Sequence, residues 1–160
     1  MLFRSVLSYH KVGVPPPPPK GWESWFYVNE KIFTAQLQWL VDHHWKPIDL
    51  DLFLRSLRDP SVLPDQSFLV TFDDGYRSLL DIAMPVMRRM KIPGVVFMPT
   101  DYVGGENTFD QRVEPAEKLC NWDELRTLEA NQLAIQAHTC SHPALSKVDP
   151  RTWQIGRAHV

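Results

Sequence analysis

A continuous β-prone run, Ser67-Phe68-Leu69-Val70-Thr71, constrains the fold of this chain more than any other feature of its sequence. The run lacks the alternation of apolar and polar residues that marks a strand with one solvent-exposed face. It is therefore typical of a strand buried on both faces of a parallel sheet. The most regular helical stripe of the sequence follows it, with apolar residues at Leu79, Ile82, Ala83, Val86, Met87 and Met90. Pro85 lies inside that stripe, so we expect the helix to bend or to start again there.

Strands and helices alternate along the rest of the sequence. Further strands are predicted at residues 5–9, Gly94–Met98 and Leu133–Ala137. Helices are predicted from the stripe Phe33, Leu37, Leu40 and Val41, from the stripe Leu50, Phe53, Leu54 and Leu57, and from a capping box of Asn121 and Glu124. The alternation predicts the α/β class, as a parallel sheet or barrel. With four or five strands, 160 residues are too few for a closed barrel, which commonly takes ~250.

Composition and charge exclude several classes of protein. A net charge of −2 gives no electrostatic basis for a nucleic-acid surface, and no apolar run reaches the ~20 residues of a membrane helix. Two cysteines are too few for a disulfide framework. The N-terminus reaches the polar Tyr9-His10-Lys11 too soon for the apolar core of a signal peptide, which predicts a cytoplasmic location. Residues 15–19 are five prolines, which predicts an extended spacer.

Two carboxylates stand where the predicted central strand ends, in Phe72-Asp73-Asp74-Gly75. Adjacent side chains at a strand end point to opposite sides, so one aspartate can bind a metal while the other accepts a proton. The alternative is a polar turn in which an aspartate caps the next helix, and for this motif alone the turn is the better interpretation.

Two histidines four residues apart follow the last predicted strand, in His138-Thr139-Cys140-Ser141-His142-Pro143. Imidazoles at this spacing can converge on one cation, and a set of His and carboxylate ligands suits zinc or a similar divalent ion. The alternatives are two loop histidines without a shared ligand, or Cys140 as an additional ligand. Both motifs follow strands, at the edge where barrel enzymes assemble their sites. An aspartate and two histidines leave one coordination position open, which is typical of catalytic rather than structural zinc.

These motifs resemble those of the polysaccharide deacetylases, the carbohydrate esterase family 4 or NodB-homology group. Further segments are similar to the family: Tyr9-His10-Lys11-Val12, Phe33 with Gln36, Leu37 and Leu40, Phe97-Met98-Pro99-Thr100, and Val103-Gly104-Gly105. The resemblance runs from about residue 6 to residue 150. It implies a NodB-like distorted (β/α) barrel whose C-terminal strands are missing from this sequence.

Residue by residue, the resemblance implies that Asp74, His138 and His142 are ligands of a divalent metal, with Zn²⁺ as the expected ion. Asp73 corresponds to the general base that activates a metal-bound water. His10 corresponds to the general acid of the branch similar to poly-N-acetylglucosamine deacetylases, which places this histidine in an N-terminal Tyr-His. The alternative for His10 is a core histidine. The spacing of His138 and His142 is that of the common deacetylases, so the branch of the family that this chain resembles most is left open.

The function implied is metal-dependent hydrolysis of N-acetyl groups on an amino-sugar polysaccharide or oligosaccharide. The alternatives are a non-catalytic or vestigial carbohydrate-binding module, and a hydrolase of another acyl amide or ester. Residues 1–154 are expected to form a partial deacetylase domain, because the Arg-Pro strand end and the Trp-bearing segment of the family do not follow His142. Residues 155–160 read as a non-native tail. We therefore expect residues 1–160 alone to lack full activity.

Overall fold

The computed structural model of the protein describes residues 3–15, 24, 26–110 and 114–149. The proline block beyond Pro15 and the proposed tail at 155–160 lie outside the described residues. The strands are β1 (Phe3–Tyr9), β2 (Lys11–Val12), β3 (Tyr27–Val28), β4 (Lys46–Pro47), β5 (Gln66–Asp73), β6 (Gly94–Met98) and β7 (Leu133–Ala137). The α-helices are α1 (Glu30–Asp42), α2 (Leu50–Ser56), α3 (Met84–Met90) and α4 (Trp122–Ala130).

The main sheet is parallel throughout and has the order β1-β5-β6-β7, with β4 paired to the start of β5. Its register aligns the carboxyl ends of the strands: Tyr9 pairs with Phe72, Asp73 with Phe97, and Met98 with Ala137. The residues that follow β1, β5 and β7 therefore meet at one edge of the sheet. This architecture confirms the predicted α/β class.

Both faces of β5 are buried, as its apolar run predicts. Phe68, Val70 and Phe72 point into the larger core, which also contains side chains of α1 and α3. Leu69 packs on the opposite face in a smaller core with Val95 of β6. Because helices cover the two faces, the carboxyl edge of the strands is where polar side chains can remain accessible.

Helix boundaries follow local chemistry. Asn121 caps α4, and the Glu124 carboxylate accepts a hydrogen bond from the Asn121 amide, which completes the predicted capping box. The stripe around Pro85 forms a π-helical turn, Leu79–Ala83, that leads into α3. Pro85 lies in the first turn of α3, directly after this π-helical turn, so the α-helix starts again at the proline as expected.

The apolar stripe predicted for α2 is only half correct. Phe53 packs against the smaller core, but Leu54 and Leu57 are 49% and 67% exposed. The helix ends at Ser56, so it is too short to bury a stripe that extends to Leu57.

Among the described residues, no helix has the length and apolar character needed to cross a membrane.

Candidate metal centre

The chain reverses directly after β5, and this turn separates the two aspartate side chains. Asp74 and Gly75 both have a left-handed backbone, with φ of 70° and 68°. The Asp73 carboxylate is 26% exposed and accepts a hydrogen bond from the Ser8 hydroxyl at 3.4 Å. The Asp74 carboxylate is only 4% exposed and faces His138 and His142. The aspartates therefore occupy different environments, as expected for residues on opposite sides of a strand end.

Gly75 is required by this turn for two reasons. Its φ is in the region that L side chains rarely adopt, and an added Cβ would clash with the Met98 sulfur. We expect Gly75→Ala to lower the free energy of unfolding by at least about 1 kcal/mol, since Ala at a positive φ is strained even without a clash. Urea unfolding followed by circular dichroism measures this change. An unchanged midpoint would contradict the conformation given for the turn.

The histidine loop begins where β7 ends and is tied to the loop after β6. The His138 amide donates to the Met98 carbonyl at 2.9 Å, and the Asp101 amide donates to the Cys140 carbonyl at 3.0 Å. Thr139 and His142 have left-handed backbones, with φ of 63° and 51°. The Thr139 hydroxyl accepts a hydrogen bond from the His142 amide at 3.0 Å and so closes the loop. Strained backbone of this kind concentrates at functional sites.

The three predicted ligands converge around one point. One ligand atom from each of Asp74, His138 and His142 lies within 4.8 Å of the other two. Asp74 Oδ1 is 3.8 Å from His138 Nε2 and 3.3 Å from His142 Nε2. This buried oxygen has no hydrogen-bond partner among the described residues. An unsatisfied buried carboxylate oxygen facing two imidazole nitrogens is what a bound cation would explain.

Electrostatics of the three residues fit a divalent cation. Burial raises the pKa of Asp74 to about 6, because the ionised carboxylate is poorly solvated, and His138 opposes this rise. Burial lowers the pKa of His142, which favours the neutral imidazole that ligates metals. A cation would stabilise the Asp74 carboxylate directly. Cys140 does not belong to the converging group, so it is not part of this ligand set.

His10 lies beside Asp73. Its Nε2 is 3.8 Å from Asp73 Oδ2, and its ring packs against Phe26 with the ring centres 4.7 Å apart. Burial lowers the pKa of His10, and the Asp73 carboxylate opposes that effect. The His10 imidazole is 30% exposed, so it is not a core histidine: it lies at the carboxyl edge of the sheet, next to the Asp73 carboxylate.

Several polar residues at the site were not singled out in the sequence. Ser8 contacts Asp73, and Thr139 holds the His142 backbone. Behind the ligands lie Lys11, Tyr76, Asp110 and Glu114, which contact one another through hydrogen bonds and ring contacts. Lys11 lies within a segment similar to the family, but nothing in the sequence pairs it with Glu114, 103 residues away.

The Thr139 hydroxyl offers a test of how the loop holds His142. We expect Thr139→Val to raise the zinc dissociation constant about 10-fold, the lower end of what loss of a supporting contact around a ligand costs. Thr139→Ser retains the hydroxyl and should bind zinc within about twofold of the unchanged protein. Competition with a chromophoric chelator measures both. Equal affinities for the Val and Ser variants would show that the hydroxyl does not position His142.

Comparisons with known proteins identify the family of the chain. The family profile described as polysaccharide deacetylase matches residues 61–155, more than half of the chain. The poly-β-1,6-N-acetyl-D-glucosamine N-deacetylase of Staphylococcus epidermidis is 28% identical over 122 residues, which cover 76% of this chain and 40% of that protein. A protein of the same name from Staphylococcus aureus is 32% identical over 82 residues, covering 51% of this chain and 28% of that protein.

Solved structures share the fold. IcaB from Ammonifex degensii has a TM-score of 0.72 and 26% identity, covering 87% of this chain and 54% of that one. The Streptococcus pyogenes deacetylase PplD has a TM-score of 0.73 and 20% identity, covering 91% of this chain and 60% of that one. The chain spans about two fifths of the length of the first of these curated relatives. Its described strands form part of a NodB-like distorted barrel. On the match of the family profile, the chain belongs to the polysaccharide deacetylase family.

Proposed function

We propose that this chain takes part in metal-dependent hydrolysis of N-acetyl groups on an amino-sugar polysaccharide or oligosaccharide. The observation that carries the proposal is the convergence of Asp74, His138 and His142 beside the Asp73–His10 pair at one edge of the sheet. The names of the Staphylococcus relatives, poly-β-1,6-N-acetyl-D-glucosamine N-deacetylases, support an N-acetylglucosamine polymer as the substrate class.

Asp74, His138 and His142 would hold the metal, for which we propose Zn²⁺ because one carboxylate and two imidazoles suit it. When bound, such an ion polarises an acetyl carbonyl and lowers the pKa of a coordinated water towards ~7. The burial of the Asp74 carboxylate and the neutral state favoured for His142 support these assignments.

Asp73 is the general base of this proposal. Its carboxylate is not among the converging ligand atoms, and it is partly open to solvent, where a substrate and a water can reach it. It accepts a proton from the attacking water, while the Ser8 hydroxyl keeps Oδ2 oriented through its hydrogen bond. The water oxygen forms the new bond to the acetyl carbon.

His10 is the general acid. The bond between the acetyl carbon and the sugar nitrogen breaks, and His10 donates a proton to the departing amine. Acetate and a free amino sugar are the products. The neighbouring Asp73 carboxylate favours the protonated imidazole that this step needs, against the effect of burial. The 3.8 Å separation of the two side chains supports their acting as a pair at one edge of the sheet.

A carbohydrate-binding module without catalysis has no use for this acid–base pair beside a metal site. The Asp73–His10 pair therefore supports a hydrolase over a binding module. Within the hydrolases, N-acetyl is proposed over other acyl amides or esters from the names of the relatives alone.

Acetate release tests the proposed function. Zinc-loaded protein, in the longest form that its gene encodes, is incubated with an oligomer of β-1,6-linked N-acetylglucosamine. We expect acetate and free amine to appear in equal amounts, and both to stop when a chelator removes the metal. Binding of the oligomer by zinc-loaded protein without acetate release would instead favour the binding module. Release that continues after the chelator would contradict the metal site.

A further inference from the structure

A buried ion pair that the proposed mechanism does not use lies behind the site. Lys11 Nζ donates to Glu114 Oε2 at 2.9 Å, and each side chain is only 1% exposed. The ammonium also lies over the rings of Tyr27 and Tyr76, 4.9 and 4.5 Å from their centres. The Ser24 hydroxyl donates to the same Glu114 oxygen at 2.5 Å. Both charges are therefore fully partnered, although both are removed from water.

Lys11 connects the ion pair to the acid–base side of the site. It follows His10 directly, and its backbone amide donates to the Phe26 carbonyl at 3.0 Å. Phe26 is the residue whose ring packs on His10. Any displacement of Lys11 is therefore transmitted to His10 through one peptide bond, and to its aromatic neighbour through one hydrogen bond.

Glu114 connects the ion pair to the metal side. It belongs to the 104–120 loop, described at residues 104–110 and 114–120. In this loop the Phe109 ring packs on the His142 ring with the centres 4.3 Å apart. The neighbouring Asp110 accepts a hydrogen bond from the Tyr76 hydroxyl at 3.0 Å.

Backbone hydrogen bonds attach the 104–120 loop to the turn after β5 that contains Asp74 and Gly75. The Cys120 amide donates to the Gly75 carbonyl at 2.9 Å, and the Arg77 amide donates to the Lys118 carbonyl at 2.9 Å. Tyr76 lies between these two contacts, two residues after Asp74, with its ring against the Lys11 ammonium. The loop thus contacts the turn that carries Asp74 and the ring of His142 at the same time.

We propose that the Lys11–Glu114 pair is a positioning device that fixes the 104–120 loop and, through Phe109 and Tyr76, holds His142 and Asp74 in the geometry of metal binding. A buried ion pair replaced by uncharged side chains of similar volume is often neutral or even stabilising, so stability alone does not account for it. What the pair supplies here is the placement of one loop against two ligands. The inference rests on the metal site of the proposed function.

The test removes both charges together, so that no unpaired charge stays buried. In Lys11→Met/Glu114→Gln we expect a melting temperature within a few degrees of the unchanged protein and a zinc dissociation constant raised about 10- to 100-fold, the range for loss of contacts that support metal ligands. The control is Arg126→Met/Asp123→Asn, which removes an exposed pair of 2.6 Å on α4. This control should bind zinc as the unchanged protein does.

A second measurement needs no metal. In zinc-free protein, the ring protons of His142 should show an NMR shift caused by the adjacent Phe109 ring, identified by comparison with Phe109→Leu. We expect the double variant to lose most of this shift and the α4 control to retain it. Tyr76→Phe keeps the ring beside Lys11 but removes the hydroxyl bond to Asp110, so it should weaken zinc binding by a smaller factor. It also decides the question if the double variant does not fold.

Failures of the two proposals give different results. A double variant that folds, binds zinc as tightly as the unchanged protein and retains the His142 shift overturns the positioning role, while the metal site stands. A Tyr76→Phe variant with unchanged zinc affinity counts against the role in the same way. Absence of zinc binding in the unchanged protein overturns the proposed metal site. In that case, loss of the His142 shift in the double variant would still support the control of the loop by the ion pair.

Discussion

Replacing Asp74 by asparagine is expected to raise the zinc dissociation constant at least about 100-fold, because loss of a ligand should exceed the 10- to 100-fold cost of losing a supporting contact. Asparagine has nearly the same volume, but it removes the negative charge from a side chain that is almost completely buried beside two imidazoles. His138→Ala and His142→Ala should each weaken binding by more than about 10-fold. Chelator competition and elemental analysis measure these effects.

Cys140→Ser is the matched control for these variants. Cys140 lies between the two histidines in the sequence but outside the converging group, so its replacement should leave zinc affinity within about twofold. Unchanged metal content in Asp74→Asn would refute the assignment of this aspartate. A loss in Cys140→Ser as large as that in His142→Ala would mean that the thiolate, and not the carboxylate, completes the set.

Replacing Asp73 by asparagine should have the opposite pattern. We expect kcat for deacetylation to fall at least about 100-fold, the lower bound for general-base catalysis, while the zinc dissociation constant changes by no more than about threefold. The physical reason is that the Asp73 carboxylate contacts Ser8 and His10. It is not one of the three converging groups that would hold the metal. Steady-state acetate release and chelator competition on the same preparation measure both quantities.

Asp81→Asn is the control for Asp73→Asn, because Asp81 is 59% exposed and pairs with Arg77, which is also exposed. Its kcat should match that of the unchanged protein. Equal loss of zinc in Asp73→Asn and Asp74→Asn would show that the roles of the two aspartates are assigned wrongly. Retained kcat in Asp73→Asn would remove the general base from the mechanism.

Sequence patterns predict most of the fold because its elements are locally consistent. Gly94–Met98 and Leu133–Ala137 form strands with the predicted bounds, and the Asn121 cap starts α4 where its box predicts. The convergence of Asp74, His138 and His142 follows from the parallel register, since the carboxyl ends of β5 and β7, which β6 separates, lie at the same edge of the sheet. The positions of the two motifs, each directly after a strand, were therefore enough to predict that these three residues meet.

Other features depend on contacts that no local pattern contains. The apolar character of Leu54 and Leu57 predicts burial, but the length of α2 and the space beside the smaller core decide their exposure. The Lys11–Glu114 pair joins residues 103 positions apart, and Glu114 lies between β6 and α4, outside both elements. Whether the lysine that follows His10 is buried depends on tertiary contacts. Here those contacts include Glu114 of the 104–120 loop, whose position no local sequence pattern predicts.

The position of a bound metal tests the central claim most directly. Crystals of the protein grown with zinc, measured on both sides of the zinc absorption edge, give an anomalous difference map. We predict one strong peak about 2.0–2.2 Å from an Asp74 carboxylate oxygen and from a ring nitrogen of each of His138 and His142, with no Asp73 oxygen at bonding distance. A peak bonded to Asp73 or to Cys140, or no peak beside Asp74 in zinc-saturated crystals, would contradict the account.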